Sequence, residues 1–192
     1  MDAVQAWEES LHSFGSGATG FAFFGVFFHG CFDDPAKLLA MSTATALAMP
    51  FEDHFMDGEP LVKGAVNAIQ GDLRAWSGVV LAGSVWLVLT PGDQQGHTLP
   101  STLTVTVSLP PPSLPLAGEL SPAMSEQTLT EAVSACDLTT GETHPVSQTT
   151  DGVTIGPLAL TRTTVLHVAS GASAKCAKPP QGMWLPRPGF NY

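Results

Sequence analysis

The stretch from Val133 to Val168, VSACDLTTGETHPVSQTTDGVTIGPLALTRTTVLHV, restricts the possible folds most. Short runs of β-branched and apolar residues are broken at Thr140-Gly141-Glu142 and again at Asp151-Gly152. These residues suit tight reversals of the chain, because glycine accepts positive φ and Asp hydrogen-bonds its own backbone. Short strands with regularly spaced turns are the pattern of a β-sandwich. The expected strands are Val146 to Thr149, Val153 to Ile155, and one long closing strand from Leu158 to Val168. Upstream, Leu103 to Leu109 (LTVTVSL) alternates strictly. That places Leu103, Val105, Val107 and Leu109 on one buried face. Val79 to Ala82 and Val85 to Thr90 read as a hairpin around Gly83-Ser84, and Thr128 to Leu138 as a further strand.

The first 75 residues have a different character. Asp2 to Phe14 is expected to be helical: Asp2 is a suitable N-cap, Val4, Trp7 and Leu11 recur at helical spacing, and Gly15-Ser16-Gly17 ends the run. Gly20 to Phe28 (GFAFFGVFF) is apolar almost without interruption, the signature of a strand covered on both faces, as in a parallel sheet flanked by helices. Asp34 then caps a helix with Pro35 at its first position, and Lys37 to Met49 continues it until Pro50. Phe51 to Pro60 is an acidic segment turning at Asp57-Gly58. Leu61 to Leu73 is compatible with more than one element. Gly171 to Tyr192, rich in Pro and Gly, reads as a flexible tail. The expectation is a mainly β chain with an N-terminal α/β segment: residues 1–75 a partial α/β unit, 76–170 an antiparallel β-sandwich, 171–192 the tail.

Charge narrows the partners. Only 12% of the residues are charged and the formal net charge is −10, against about 25% charged in an ordinary soluble domain. Residues 1–170 hold all 17 acids. Nucleic acid needs a basic patch, so it is not expected as a partner. The apolar runs Ala18 to Phe32 and Trp76 to Thr90 fall short of the roughly 20 residues that a spanning helix needs, so a membrane is not expected either. Cys31, Cys136 and Cys176 have no metal-type spacing. Cys31 and Cys136 are expected as buried thiols, with a Cys136–Cys176 disulfide the alternative. No phosphate loop, dinucleotide fingerprint, C-x-x-C pair or nucleophile elbow occurs, and neither a cofactor nor a metal is expected. The acidic group Glu52, Asp53, His54, Asp57 and Glu59 matches no metal-binding loop and reads as a solvated turn.

Four segments carry a resemblance. Gly17 to Phe24 (GATGFAFF) looks like a late barrel strand, Asp33 to Met49 like a closing barrel helix, and FEDHFMDGEP like the segment leading out of it. The Asp137-Leu138-Thr139-Thr140-Gly141-Glu142 turn, then Asp151-Gly152 and the strand through Val168, are similar to the closing strands of an appended sandwich. In this order the chain resembles the C-terminal part of glycoside hydrolases that join a (β/α)8 barrel to a β-sandwich. The resemblance implies a C-terminal fragment or truncated homologue with a structural, accessory role. The two carboxylates that such hydrolysis needs would lie outside this sequence. It places Asp33 and His29 near a barrel strand end, where they could meet sugar hydroxyls. Their bland alternatives are a neighbour of a helix cap and a hydrogen-bonded core histidine. Trp76 could stack on a sugar ring, or simply pack at the junction. The implied partners are carbohydrate, the missing barrel, or a second copy meeting through residues 18–49. The competing expectation is a non-catalytic module that binds carbohydrate or protein through a sandwich face.

Overall fold

The computed structural model describes residues 2–20, 35–92, 101–108, 133–149, 152–170 and 176. Helix α1 (Ala3–Gly15) is followed by α2 (Pro35–Ala48), a 3-10 turn (Met49–Phe51) and the short α3 (Glu52–Asp57). Among the described residues ten strands follow: β1 (Glu59–Pro60), β2 (Val66–Gln70), β3 (Leu73–Leu81), β4 (Ser84–Pro91), β5 (Ser101–Ser108), β6 (Val133–Asp137), β7 (Thr143–His144), β8 (Val146–Thr149), β9 (Gly152–Leu160) and β10 (Thr164–Ser170). They form a six-stranded sheet, β1-β3-β4-β10-β6-β7, and a four-stranded sheet, β2-β5-β9-β8. Every pairing is antiparallel. The chain is therefore mainly β, with its helices at the N-terminal end.

The six-stranded sheet is the middle of three layers. On one face Val79, Trp86, Val88, Cys136 and Val165 pack under the helices. On the other, Val85, Leu87, Leu89, Ala135, Leu166 and Val168 meet Leu103, Val105, Val107, Ile155 and Leu158 of the four-stranded sheet. Strands covered on both sides lose the alternation of a half-solvated strand. That accounts for the unbroken apolar pattern of β4, from Val85 to Leu89, within an antiparallel sheet. All of the strand expected over Gly20 to Phe28 except Gly20, and Cys31 after it, lie outside the described residues, as does Leu109.

Helix α1 starts with a reciprocal cap. The Asp2 carboxylate accepts from the Gln5 amide at 2.8 Å, and the Gln5 side chain accepts from the Asp2 amide at 3.0 Å. Its inner stripe, Trp7, Leu11 and Phe14, is buried with Ala40, Ala44 and Leu47 of α2. Each of the three large side chains contributes about 1.5–3 kcal/mol by leaving water. Gly15 lets the end of α1 touch the sheet: a Cβ there would stand 2.2 Å from Ser77 Oγ. A line between residues 75 and 76 runs through β3, while β1 and β2, which precede it, are hydrogen-bonded into the two sheets.

Four local expectations need correction. The long closing strand is two strands in different sheets: β9 belongs to the four-stranded sheet and β10 to the six-stranded one. The chain changes layer at Thr161-Arg162-Thr163, where the apolar pattern pauses for three polar residues. The hairpin turn is Ala82-Gly83, with φ of 47° and 80°, and Ser84 already pairs with Leu81. Two positive φ values in succession match the twist of the flanking strands. Part of the acidic segment, Glu52–Asp57, is helical, with Gly58 at its C-cap. Cys136 is not a free thiol: it is bonded to Cys176, which ties that point of the expected tail to β6. The described part of the strand expected over Thr128 to Leu138 is Val133–Asp137.

Candidate functional site

Three features of the described residues have chemistry to offer. The first lies between α1 and the six-stranded sheet. His12 on α1 meets Ser77 Oγ through Nδ1 at 2.8 Å and Thr90 Oγ1 through Nε2 at 2.9 Å. Thr90 Oγ1 is 2.8 Å from Thr163 Oγ1, and Thr163 donates to Glu8 at 2.8 Å. The other oxygen of Glu8 forms an ion pair with Arg74. The carboxylate only accepts, so the direction of every bond in the chain follows. Thr163 gives its hydrogen to Glu8 and accepts from Thr90. Thr90 in turn accepts from His12 Nε2–H, which leaves Nδ1 to accept from Ser77. This orders Ser77, His12 and a carboxylate as in a nucleophile relay, with two threonines interposed. Ser77, however, is buried, with the close approach of Gly15 above its hydroxyl. No reacting group can sit on that oxygen in this arrangement, and the network ties helix to sheet instead. Burial, and then the Arg74 charge, push the His12 pKa down to about 4, so the ring is neutral at pH 7.

The second feature lies at the other end of the same interface. His54 on α3 approaches His167 on β10 with ring centroids 5.7 Å apart, and Phe51 lies 4.8 Å from the His167 ring. His54 Nε2 is 2.8 Å from Ser84 Oγ, and Ser84 donates its hydrogen to the Leu81 carbonyl at 2.9 Å. His54 must therefore be the donor to Ser84, and its Nδ1 carries the bare lone pair. His167 stands in register between Trp86 of β4 and Cys136 of β6. Its Nδ1 and the Trp86 Nε1 are buried without a hydrogen-bond partner. Burial lowers the pKa of both histidines, that of His167 to about 4 with a further contribution from His54. No group of three or more His, Cys, Asp or Glu side chains among the described residues is disposed to hold a metal ion.

The third feature is the outer face of the four-stranded sheet. Asn67, Thr106, Thr154 and Ser147 are register neighbours on β2, β5, β9 and β8 and form one row across all four strands. Thr106 leans on its neighbour, donating to the Asn67 carbonyl at 3.3 Å. Thr102 and Ser108 on β5 are exposed, and Thr104 between them is half-buried on the same side of the strand. The face presents hydroxyl and amide groups and carries no ionised side chain in its central row.

Of the described residues singled out by sequence, His54 belongs to the second feature and Trp76 to none of the three. His29 and Asp33 lie outside the described residues. Trp76 is half-buried and packs against the core between the sheets. Of the acidic group, His54 turns inward, whereas Glu52, Asp53, Asp57 and Glu59 are exposed. His12, Ser77, Thr90 and Thr163 escaped notice because the partners stand 65, 78 and 73 positions apart. The hydroxyl row had a visible signal in the Thr-x-Thr-x-Thr alternation within Ser101 to Ser108. No helix among the described residues is long and apolar enough to cross a membrane. Comparison with protein-family models, with curated proteins and with solved structures gave no match.

Proposed function

We propose that the chain is a non-catalytic β-sandwich module that binds a neutral carbohydrate through the outer face of its four-stranded sheet. The row Asn67–Thr106–Thr154–Ser147 carries this reading. Sugar hydroxyls both donate and accept, as do Ser, Thr and Asn side chains. Strands about 4.8 Å apart set such groups at close, regular intervals along the row. An uncharged face gives up no ionic hydration when it is covered, which favours a neutral polymer over a charged one. A place beside the catalytic barrel of a glycoside hydrolase would give the face its use. The module by itself is expected to leave aryl-glycosides uncut.

The test is native electrophoresis of the whole chain through gels containing soluble neutral glucan, xylan or mannan. The parent chain should be retarded in at least one gel. Thr106→Val with Thr154→Val, which keeps the β-branched shape and removes two hydroxyls, should migrate freely. Free migration of the parent in every gel would sink the proposal, as would equal retardation of the double variant.

A further inference from the structure

We propose that His54 and His167 form an acid-operated latch: neutral, they hold helix α3 against Trp86, and on taking up protons they release α3 while the two sheets stay closed. A helix of six residues has no stability of its own, so α3 depends on the side chains it buries. Those are His54 and Phe55. Phe55 stands edge-on to Trp86 of β4 with ring centroids 5.0 Å apart, and 5.2 Å from Phe14 of α1. His54 gives its Nε2 hydrogen to Ser84 and lies edge-on to His167. Phe51, just before α3, stands 5.8 Å from the His54 ring and 4.8 Å from the His167 ring. One of the two anchors of α3 is therefore an ionisable ring set against a second ionisable ring.

The surroundings suit the neutral rings alone. An imidazolium carries hydrogen on both ring nitrogens. His167 Nδ1 is buried without a partner, as is Trp86 Nε1, which can only donate. A hydrogen on His167 Nδ1 finds no acceptor there. The neighbouring elements bring no free carboxylate to the pair among the described residues. The 3-10 turn and β4 have no ionisable side chain. Arg74 of β3 is paired with Glu8 of α1, Glu9 is exposed, and His12 is held at Ser77 and Thr90. Asp137 of β6 accepts from Thr139 and Thr164, and Cys136 is in the disulfide. Lys37 lies at the end of α2 away from the turn. On α3 itself Glu52, Asp53 and Asp57 are exposed. Burial opposes the charged form of His54, and Asp53 offsets part of this.

The direction of the response follows. Burial, and then His54, hold the His167 pKa at about 4, and burial lowers that of His54 too. A ring freed into water returns to about 6.5. The open form therefore binds more protons than the closed form between those values, and acid favours it. From about pH 7.5 to about pH 5 the full difference at His167 multiplies the open population roughly 30-fold, and solvent near the ring reduces this to about tenfold. His54 acts in the same direction. The open form uncovers the side of Trp86 that Phe55 covers, so acid exposes an aromatic surface without dismantling the sheets.

Amide exchange of the full chain, resolved by NMR at about pH 7.5 and about pH 5 and corrected for the exchange of free amides, tests the latch. The Gly58 amide closes α3 onto the His54 carbonyl at 3.1 Å and reports its state. Its protection should fall by about tenfold more than that of β4 and β10 amides on acidification. In His54→Gln with His167→Gln neither ring titrates, and the extra fall should vanish. Should that variant misfold, the ring signals of the parent decide: those of His54 and His167 should titrate below pH 6.5, in step with the loss of Gly58 protection. Full Gly58 protection at pH 5, loss in equal measure at β4 and β10, an undiminished fall in the folded double variant, or rings that titrate while α3 stays closed would each overturn the proposal.

Discussion

Acid should loosen the contact between α1 and the sheet, and His12 sets how much. Its folded-state pKa is near 4 and its ordinary value 6.5. The folded chain therefore binds fewer protons than the unfolded chain between those values, and stability falls as the pH falls through that window. Above about pH 6.5 the neutral ring contributes in full, and below about pH 4 nothing further is lost. Between about pH 7.5 and about pH 5 the full shift corresponds to about 2 kcal/mol, and partial exposure of the ring reduces this to about 1 kcal/mol. The other lowered histidines, His54 and His167, act in the same direction, so the total slope cannot be assigned to His12 alone. The difference between the parent and His12→Gln can. Glutamine keeps a donor and an acceptor but does not titrate. Urea unfolding of both chains across this window should show His12→Gln less stable near neutrality and losing about 1 kcal/mol less than the parent on acidification. Equal losses in the two chains would refute the picture of a neutral His12 locked between Ser77 and Thr90.

Three more perturbations have definite outcomes. Gly15→Ala brings a Cβ to 2.2 Å from Ser77 Oγ; it should cost about 2–4 kcal/mol in urea unfolding, from overpacking plus the lost His12 hydrogen bond, and Ser77→Ala should recover part of that loss. Ala82 holds a φ of 47°, so Ala82→Asn, which tolerates that region, should stabilise the chain by about 0.5–1 kcal/mol and raise its thermal midpoint. Reducing the Cys136–Cys176 bond in metal-free buffer releases a link spanning 40 positions; chain entropy alone predicts a loss of about 4 kcal/mol, read as a fall in the urea midpoint.

Local patterns were the readable part of this chain. The Asp2 cap, the Pro35 start, the alternating Leu103 to Val107 and the Asp137 to Glu142 turn depend on neighbours within a few residues, and each stands where its chemistry put it. Layering was harder to read. An apolar run such as Val85 to Leu89 says that both faces are covered, but the cover can be helices around a parallel sheet or helix and sheet around an antiparallel one. The break at Thr161 to Thr163 was missed because three polar residues look like a wobble in one strand until the partners of β9 and β10 are known. The internal clusters were least visible. His12 with Thr163, and His54 with His167, join positions that only the assembled layers bring together, and single histidines at such distances leave no motif.

The passage of the chain from one sheet to the other bears on how the protein is made. β10 fills the gap between β4 and β6, so the inner edge of β4 has no partner until Thr164 to Ser170 have been synthesised. At ribosomal speeds of about 5–20 residues per second, everything from Gly92 to Thr163 takes on the order of several seconds. Throughout that interval the β3–β4 hairpin offers an unpaired apolar edge, and Trp86 has no strand on its far side. A chain released before Thr164 cannot complete the β4-β10-β6 pairing of its central sheet. The last of the described strands to emerge is thus the one on which both layers wait.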